Sequence, residues 1–124
     1  MSRFFLVAGA IAAGIGVMAG AFGAHGLENR VSPDRLQTFE TGVRYQMYHA
    51  LALLLVGWMG LQHSASLLTG AGVAFLVGIL IFSGSLYLLV LTDTAWLGAI
   101  TPIGGVAFIG GWGLLVAHLL RAMP

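Results

Sequence analysis

The chain has 124 residues, of which 59% are hydrophobic and only 7% charged, with a formal net charge of +1. Water-soluble domains carry roughly 25% charged residues, and disordered chains are poor in apolar ones, so both classes are excluded and an integral membrane protein remains. The five cations are all arginine and lie scattered, which leaves no basic patch for nucleic acid, and the lack of cysteine removes disulfides, thiolate nucleophiles and iron–sulfur ligation.

The first apolar run spans residues 4–24 behind Arg3. A charged start and the small residues Ala19-Gly20-Ala21 resemble a signal peptide, but the run is long for one. It reads as a retained span, covering about 30 Å at helical rise. Ala8, Ala12, Gly16, Gly20 and Ala24 recur along it every fourth residue. Such a strip lets helices approach closely, within the bundle or between copies in a homo-oligomer.

A polar segment from His25 to Val31 follows, then Ser32-Pro33-Asp34. Serine is a good N-cap, proline suits the first helical position and aspartate the first turn, so a helix is predicted to start at Pro33. Leu36, Phe39, Val43 and Met47 form an apolar stripe on it, with Arg35, Gln37, Glu40, Thr41 and Arg44 elsewhere. Residues 33–44 read as an interfacial amphipathic stretch, or as a helix packed over the bundle mouth. The same helix is expected to continue as a second span over 45–61.

Gln62 to Ser66 form a short turn before a third span over 67–91, which carries Gly70, Ala74 and Gly78 as a second small-residue strip. Thr92-Asp93-Thr94 is the next turn. The fourth span, 95–120, contains Thr101-Pro102, which either kinks the helix or restarts it with Thr101 as a cap. The predicted fold is all-α: a single membrane domain over 1–124, four transmembrane helices in a compact up-down bundle, with an amphipathic N-terminal extension of helix two. Orientation is nearly balanced, with Arg30, Arg35 and Arg44 on the first-loop side against Arg3 and Arg121 on the other. The count leans towards a cytosolic first loop.

The densest polar group surrounds the first loop. His25 closes the first helix, while Arg44, Tyr45, Gln46, Tyr48 and His49 open the membrane part of the second. Polar side chains entering an apolar span need partners and turn inward. Glu40–Arg44, Arg44–Tyr48 and Tyr45–His49 are all spaced to meet on one helix face. Arg44 is expected to pair with Glu40 or a backbone carbonyl, and His25 to reach helix two. Two inward histidines raise haem or metal binding, but the spacing of His25 and His49 imposes no ligand geometry, so no cofactor or metal is expected. His63 and His118 are placed near helix ends, solvated by headgroup water. Trp58, Trp96 and Trp112 read as interface anchors or bundle packing. Ser83 and Ser85 precede Tyr87 on the third helix, and a serine nucleophile there lacks a positioned base.

Gly20-Ala21-Phe22-Gly23-Ala24-His25-Gly26-Leu27 resembles the first signature of the small membrane-protein family called domain of unknown function 423. Residues 39–52, Phe82-Ser83-Gly84-Ser85-Leu86-Tyr87 and Leu97 to Gly105 resemble its later blocks, in order and over nearly the whole chain. The resemblance implies a small multi-pass protein of the bacterial inner membrane without an accepted activity. It directs attention to His25, Arg44, Tyr45, Gln46, Tyr48, His49, Ser83, Ser85, Tyr87, Thr101 and Pro102 as candidates for binding a ligand or partner. The leading expectation is a non-enzymatic accessory or scaffold protein that binds membrane lipid or a membrane-protein partner. The alternatives are an oligomeric small-solute or ion transporter or channel, using backbone exposed near Thr101-Pro102, and a haem- or metal-binding subunit.

Overall fold

A computed structural model describes residues 1–122, which contain helices and turns and no strand. Helix α1 is Ser2–Phe22 and runs into a π-helical turn, Gly23–Leu27. Helix α2 is Pro33–Gln62, 30 residues without a break. Its start follows the sequence rule: Ser32 Oγ accepts from the Arg35 amide at 3.2 Å, with Pro33 in the first turn. The third helical stretch is α3, Ser66–Gly78, a π-helical turn, Ile79–Ser83, and α4, Gly84–Thr92. It ends at Asp93, the single non-glycine residue at positive φ (52°) among those described. A 3₁₀ turn, Ala95–Ala99, leads into α5, Thr101–Ala122. Pro102 thus lies in the first turn of α5, where its missing N–H costs nothing. The helix restarts at this point instead of kinking.

Three stretches, Ser2–Leu27, Ser66–Thr92 and Ala95–Ala122, are long and apolar enough to cross a membrane. Helix α2 is not among them, because Asp34, Arg35, Glu40 and Arg44 lie in its first half and Gln46 and His49 near its middle.

Helices α1 and α2 pack antiparallel along nearly their whole length, and the small residues set the distance. A Cβ on Gly9 would lie 2.8 Å from the Ala50 carbonyl oxygen, and one on Gly57 would lie 2.9 Å from that of Ser2. Further towards the first loop Gly16 abuts Met47, Gly20 Val43 and Gly23 Phe39. Of the predicted strip, Ala12 and Gly16 are buried, Ala8 and Gly20 half-buried, and Ala24 exposed. The α3–α4 stretch meets α5 through a second seam. Gly104 lies against the Phe82 backbone, Gly78 against Phe108, Gly111 against Phe75 and Gly70 against Leu114, with Ala74 half-buried nearby. Phe5, Leu53, Val56, Leu68, Phe75 and Phe108 form the main core. Leu27, Phe39, Leu89 and Val90 form a smaller one beneath the first loop.

Two local expectations are corrected. Among the described residues Arg44 is exposed and unpaired, and the ion pair joins Arg35 to Asp93 at 3.2 Å. The left-handed turn at Asp93 holds its carboxylate over the start of α2, whereas a long arginine on an open helix face gains little from an i−4 partner. His118 is only 8% exposed instead of standing open at the helix end, because it continues the buried stripe Gly104, Phe108, Gly111, Leu115 of α5.

Candidate functional site

Most polar side chains in the apolar interior are used between helices. Gln46 on α2 donates from Nε2 to the Ala12 carbonyl of α1 at 2.8 Å, and its Oε1 accepts from Tyr87 Oη of α4 at 2.6 Å. One amide therefore bridges three helices. Ser83 Oγ donates to the Gly42 carbonyl of α2 at 2.6 Å. Glycine is needed at this crossing, because a Cβ at Gly42 would stand 2.9 Å from the Tyr87 ring. Ser85 Oγ lies 2.6 Å from Thr101 Oγ1 and 2.9 Å from the Phe82 carbonyl, which links α4 to the start of α5. Hydrogen bonds of this kind, with small-residue seams, hold helices together where lipid supplies no hydrophobic drive.

His49 sits in an aromatic nest between α2, α3 and α5. Its ring stacks on Phe108 with centroids 3.5 Å apart and lies near Phe75, Tyr45 and Trp112. Nδ1 is 2.7 Å from the Tyr45 carbonyl, and Nε2 is 3.0 Å from the Trp112 indole nitrogen. A carbonyl only accepts and an indole N–H only donates. These partners assign a neutral imidazole with its proton on Nδ1. Both ring nitrogens are occupied, so neither is open to haem or metal.

His25 is exposed in the π turn after α1 and makes no hydrogen bond among the described residues, so the expected contact with helix two is absent. The two histidines share no site: one faces outward at the loop, the other is enclosed beside α5. Tyr45 and Tyr48 are partly exposed and meet edge to face at 5.7 Å. Thr101 is tied to Ser85, and Pro102 is exposed at the head of α5. Gln46, Ser83, Ser85, Tyr87, His49 and Thr101 are thus brought into one bonded interior, while His25, Arg44, Tyr48 and Pro102 stay outside it. Among the described residues no three side chains cluster as metal ligands.

Sequence reasoning missed the pairing of Trp112 with His49, for which spacing holds no signal. It also missed the burial of His118, whose place on the three- and four-residue stripe of α5 could have shown it.

A lateral groove of about 400 Å³ opens between α1 and the α3–α4 stretch. Phe4, Ala8, Ile11 and Ile15 form one wall, Leu76, Ile79 and Leu80 the other, and Gln46 and Tyr87 lie at its floor.

The family described as "Protein of unknown function (DUF423)" matches residues 19–105. The UPF0382 membrane protein YwdK of Bacillus subtilis is 49% identical over 120 residues, 96% of this chain and 98% of that protein. UPF0382 membrane proteins of Staphylococcus aureus and Staphylococcus haemolyticus are 48% and 45% identical, over 92% and 96% of this chain and 93% and 97% of their own lengths. No solved structure matches.

Proposed function

The chain belongs to the DUF423 family of proteins of unknown function, and on that premise we propose that it is a four-span protein of the bacterial inner membrane that acts without chemistry of its own, as an accessory protein holding a membrane partner or lipid. The antiparallel register of α2 along α1 supports the fourth span. A helix that runs beside a membrane-crossing neighbour from Phe39 to Gly60 crosses with it. Gln46 and His49 near its middle face neighbouring helices, while Leu51, Leu55, Trp58 and Leu61 face outward. At 30 residues α2 is about 45 Å long, more than a bilayer core, so its charged first turns stand at the membrane surface.

The observation that carries the accessory role is the bonded interior. Gln46, Tyr87, Ser83, Ser85, Thr101 and His49 are all engaged in holding helices. That arrangement makes a rigid body with a preformed apolar groove on its flank, suited to an acyl chain or a partner's apolar helix. A photo-crosslinking residue at Ala8 or Leu80 should yield discrete lipid or protein adducts in native membranes. Labelling there no stronger or more selective than at Val106, on the outward face of α5, would remove the reading.

A further inference from the structure

At the end of the bundle opposite the first loop, α3 begins without a cap. Its N-cap residue is Ala65, and no side chain bonds the first turn. The Thr69 amide returns to the Ala65 carbonyl, which leaves the Ser66, Leu67 and Leu68 amides without helical partners. Alanine is among the weakest N-cap residues, so this positive helix end stays open to an anion.

A second observation lies beside it. The α3–α5 seam pairs Gly78 with Phe108, Phe75 with Gly111 and Gly70 with Leu114, and one turn further His118 lines the same cavity as the first residues of α3. The His118 side chain has no hydrogen-bond partner among the described residues, although the residue is only 8% exposed. Neither ring nitrogen is sealed off unpaired, so the ring keeps access to a cavity. It borders an open cavity of about 340 Å³, lined also by Ala65, Ser66, Leu67, Arg121 and Ala122, where the ring and the Arg121 side chain are the polar groups beside Ser66 and the first-turn amides of α3. His118 also lines a largely apolar cleft of about 200 Å³, walled by Trp58, Met59 and Leu119 with Gln62 and His63 at the end of α2. All four acidic residues, Glu28, Asp34, Glu40 and Asp93, belong to the first-loop end. This end therefore offers cations and open amides with no carboxylate side chain to compete.

We propose that this pocket binds the phosphate of an anionic phospholipid, held by the first-turn amides of α3 together with His118 and Arg121, with the adjoining cleft receiving the start of an acyl chain. The site is distinct from the lateral groove. It requires only that the α3–α4 stretch and α5 cross the membrane, so it can fail or stand apart from the accessory reading.

The test is titration of the purified full chain in mild detergent with dioleoylphosphatidylglycerol, with dioleoylphosphatidylcholine and with inorganic phosphate, read by native mass spectrometry. Phosphatidylglycerol should bind about tenfold tighter than phosphatidylcholine, and Arg121→Gln should lose about tenfold of that affinity, the scale of one charge-assisted hydrogen bond. Ala65→Asp, which fills the open helix end with a carboxylate, should lower phosphatidylglycerol affinity at least as much while the melting temperature holds or rises. Arg30→Gln, at the opposite end, should bind as the parent does. Equal binding of the two lipids, unchanged affinity in Arg121→Gln and Ala65→Asp, or an equal loss in Arg30→Gln would overturn the proposal. Displacement of phosphatidylglycerol by inorganic phosphate at matched concentration would assign the pocket to free phosphate and overturn the lipid assignment.

Discussion

The interior around Gln46 and the end around His118 treat polar side chains in opposite ways. In the interior one amide bridges three helices and each neighbouring hydroxyl has a partner on another helix. At the His118 end a buried histidine has no partner among the described residues, beside an uncapped helix. An unpaired polar group in an apolar setting is costly, so polarity in the interior serves cohesion. The open end keeps the same kind of group available to something outside the chain. Substitutions in the two regions should therefore differ in what they disturb.

The largest effect is expected at the α3–α5 seam that frames both regions. Gly104→Leu forces a side chain into the Phe82 backbone, which cannot move aside as a side chain can, and should cost about 3 kcal/mol. Gly110→Leu, on the same helix with open space at its Cα, should melt within about 0.5 kcal/mol of the parent. Thermal unfolding in detergent measures both. If Gly104→Leu melts like Gly110→Leu, the seam does not have this register.

Gly16→Leu comes next, at about 2 kcal/mol from overpacking, because the group it meets is the flexible end of Met47. The contact lies within one chain, so the melting temperature should fall while the mass by light scattering stays constant. A drop in mass with the fold intact would move this strip to an interface between copies.

A smaller effect tests the interior bonds directly. In a double-mutant cycle of Gln46→Leu with Tyr87→Phe, the coupling should be about 0.6 kcal/mol, the average for interhelical hydrogen bonds in membranes. Zero coupling would mean that the bridge contributes geometry and no stability.

The smallest effect belongs to the open end. His118→Phe keeps the bulk and removes no hydrogen bond seen among the described residues, so lipid-free stability should change by less than about 0.5 kcal/mol. A loss as large as that of Gln46→Leu would erase the contrast between the two regions.

Much of the architecture was legible because it depends on local chemistry. Ser32-Pro33-Asp34 located the start of α2 to the residue, and the glycines of α1 and α3 marked helix contacts. The π turn at Ile79–Ser83 was not legible, since no residue pattern there departs from an ordinary apolar helix, and at Gly23–Leu27 the polar residues marked the end of the first run without showing that it winds as a π turn. Within the candidate site, i,i+4 spacing correctly stacked Tyr45 with His49, their rings 6.4 Å apart. The same rule offered Glu40 to Arg44 and could not see that Asp93, far along the chain, would reach Arg35 instead.

The sequence by itself determined the membrane class, the helical content, the family and the start of α2, because composition, hydropathy and capping act within a few residues of each position. Only the tertiary structure decided which way each helix is rotated about its axis. That rotation put His25 outside and His49 inside, joined Gln46 to Tyr87, and turned His118 towards the start of α3. A helix presents polar groups on several faces, and the packing of its neighbours through close glycine contacts selects the face that is buried.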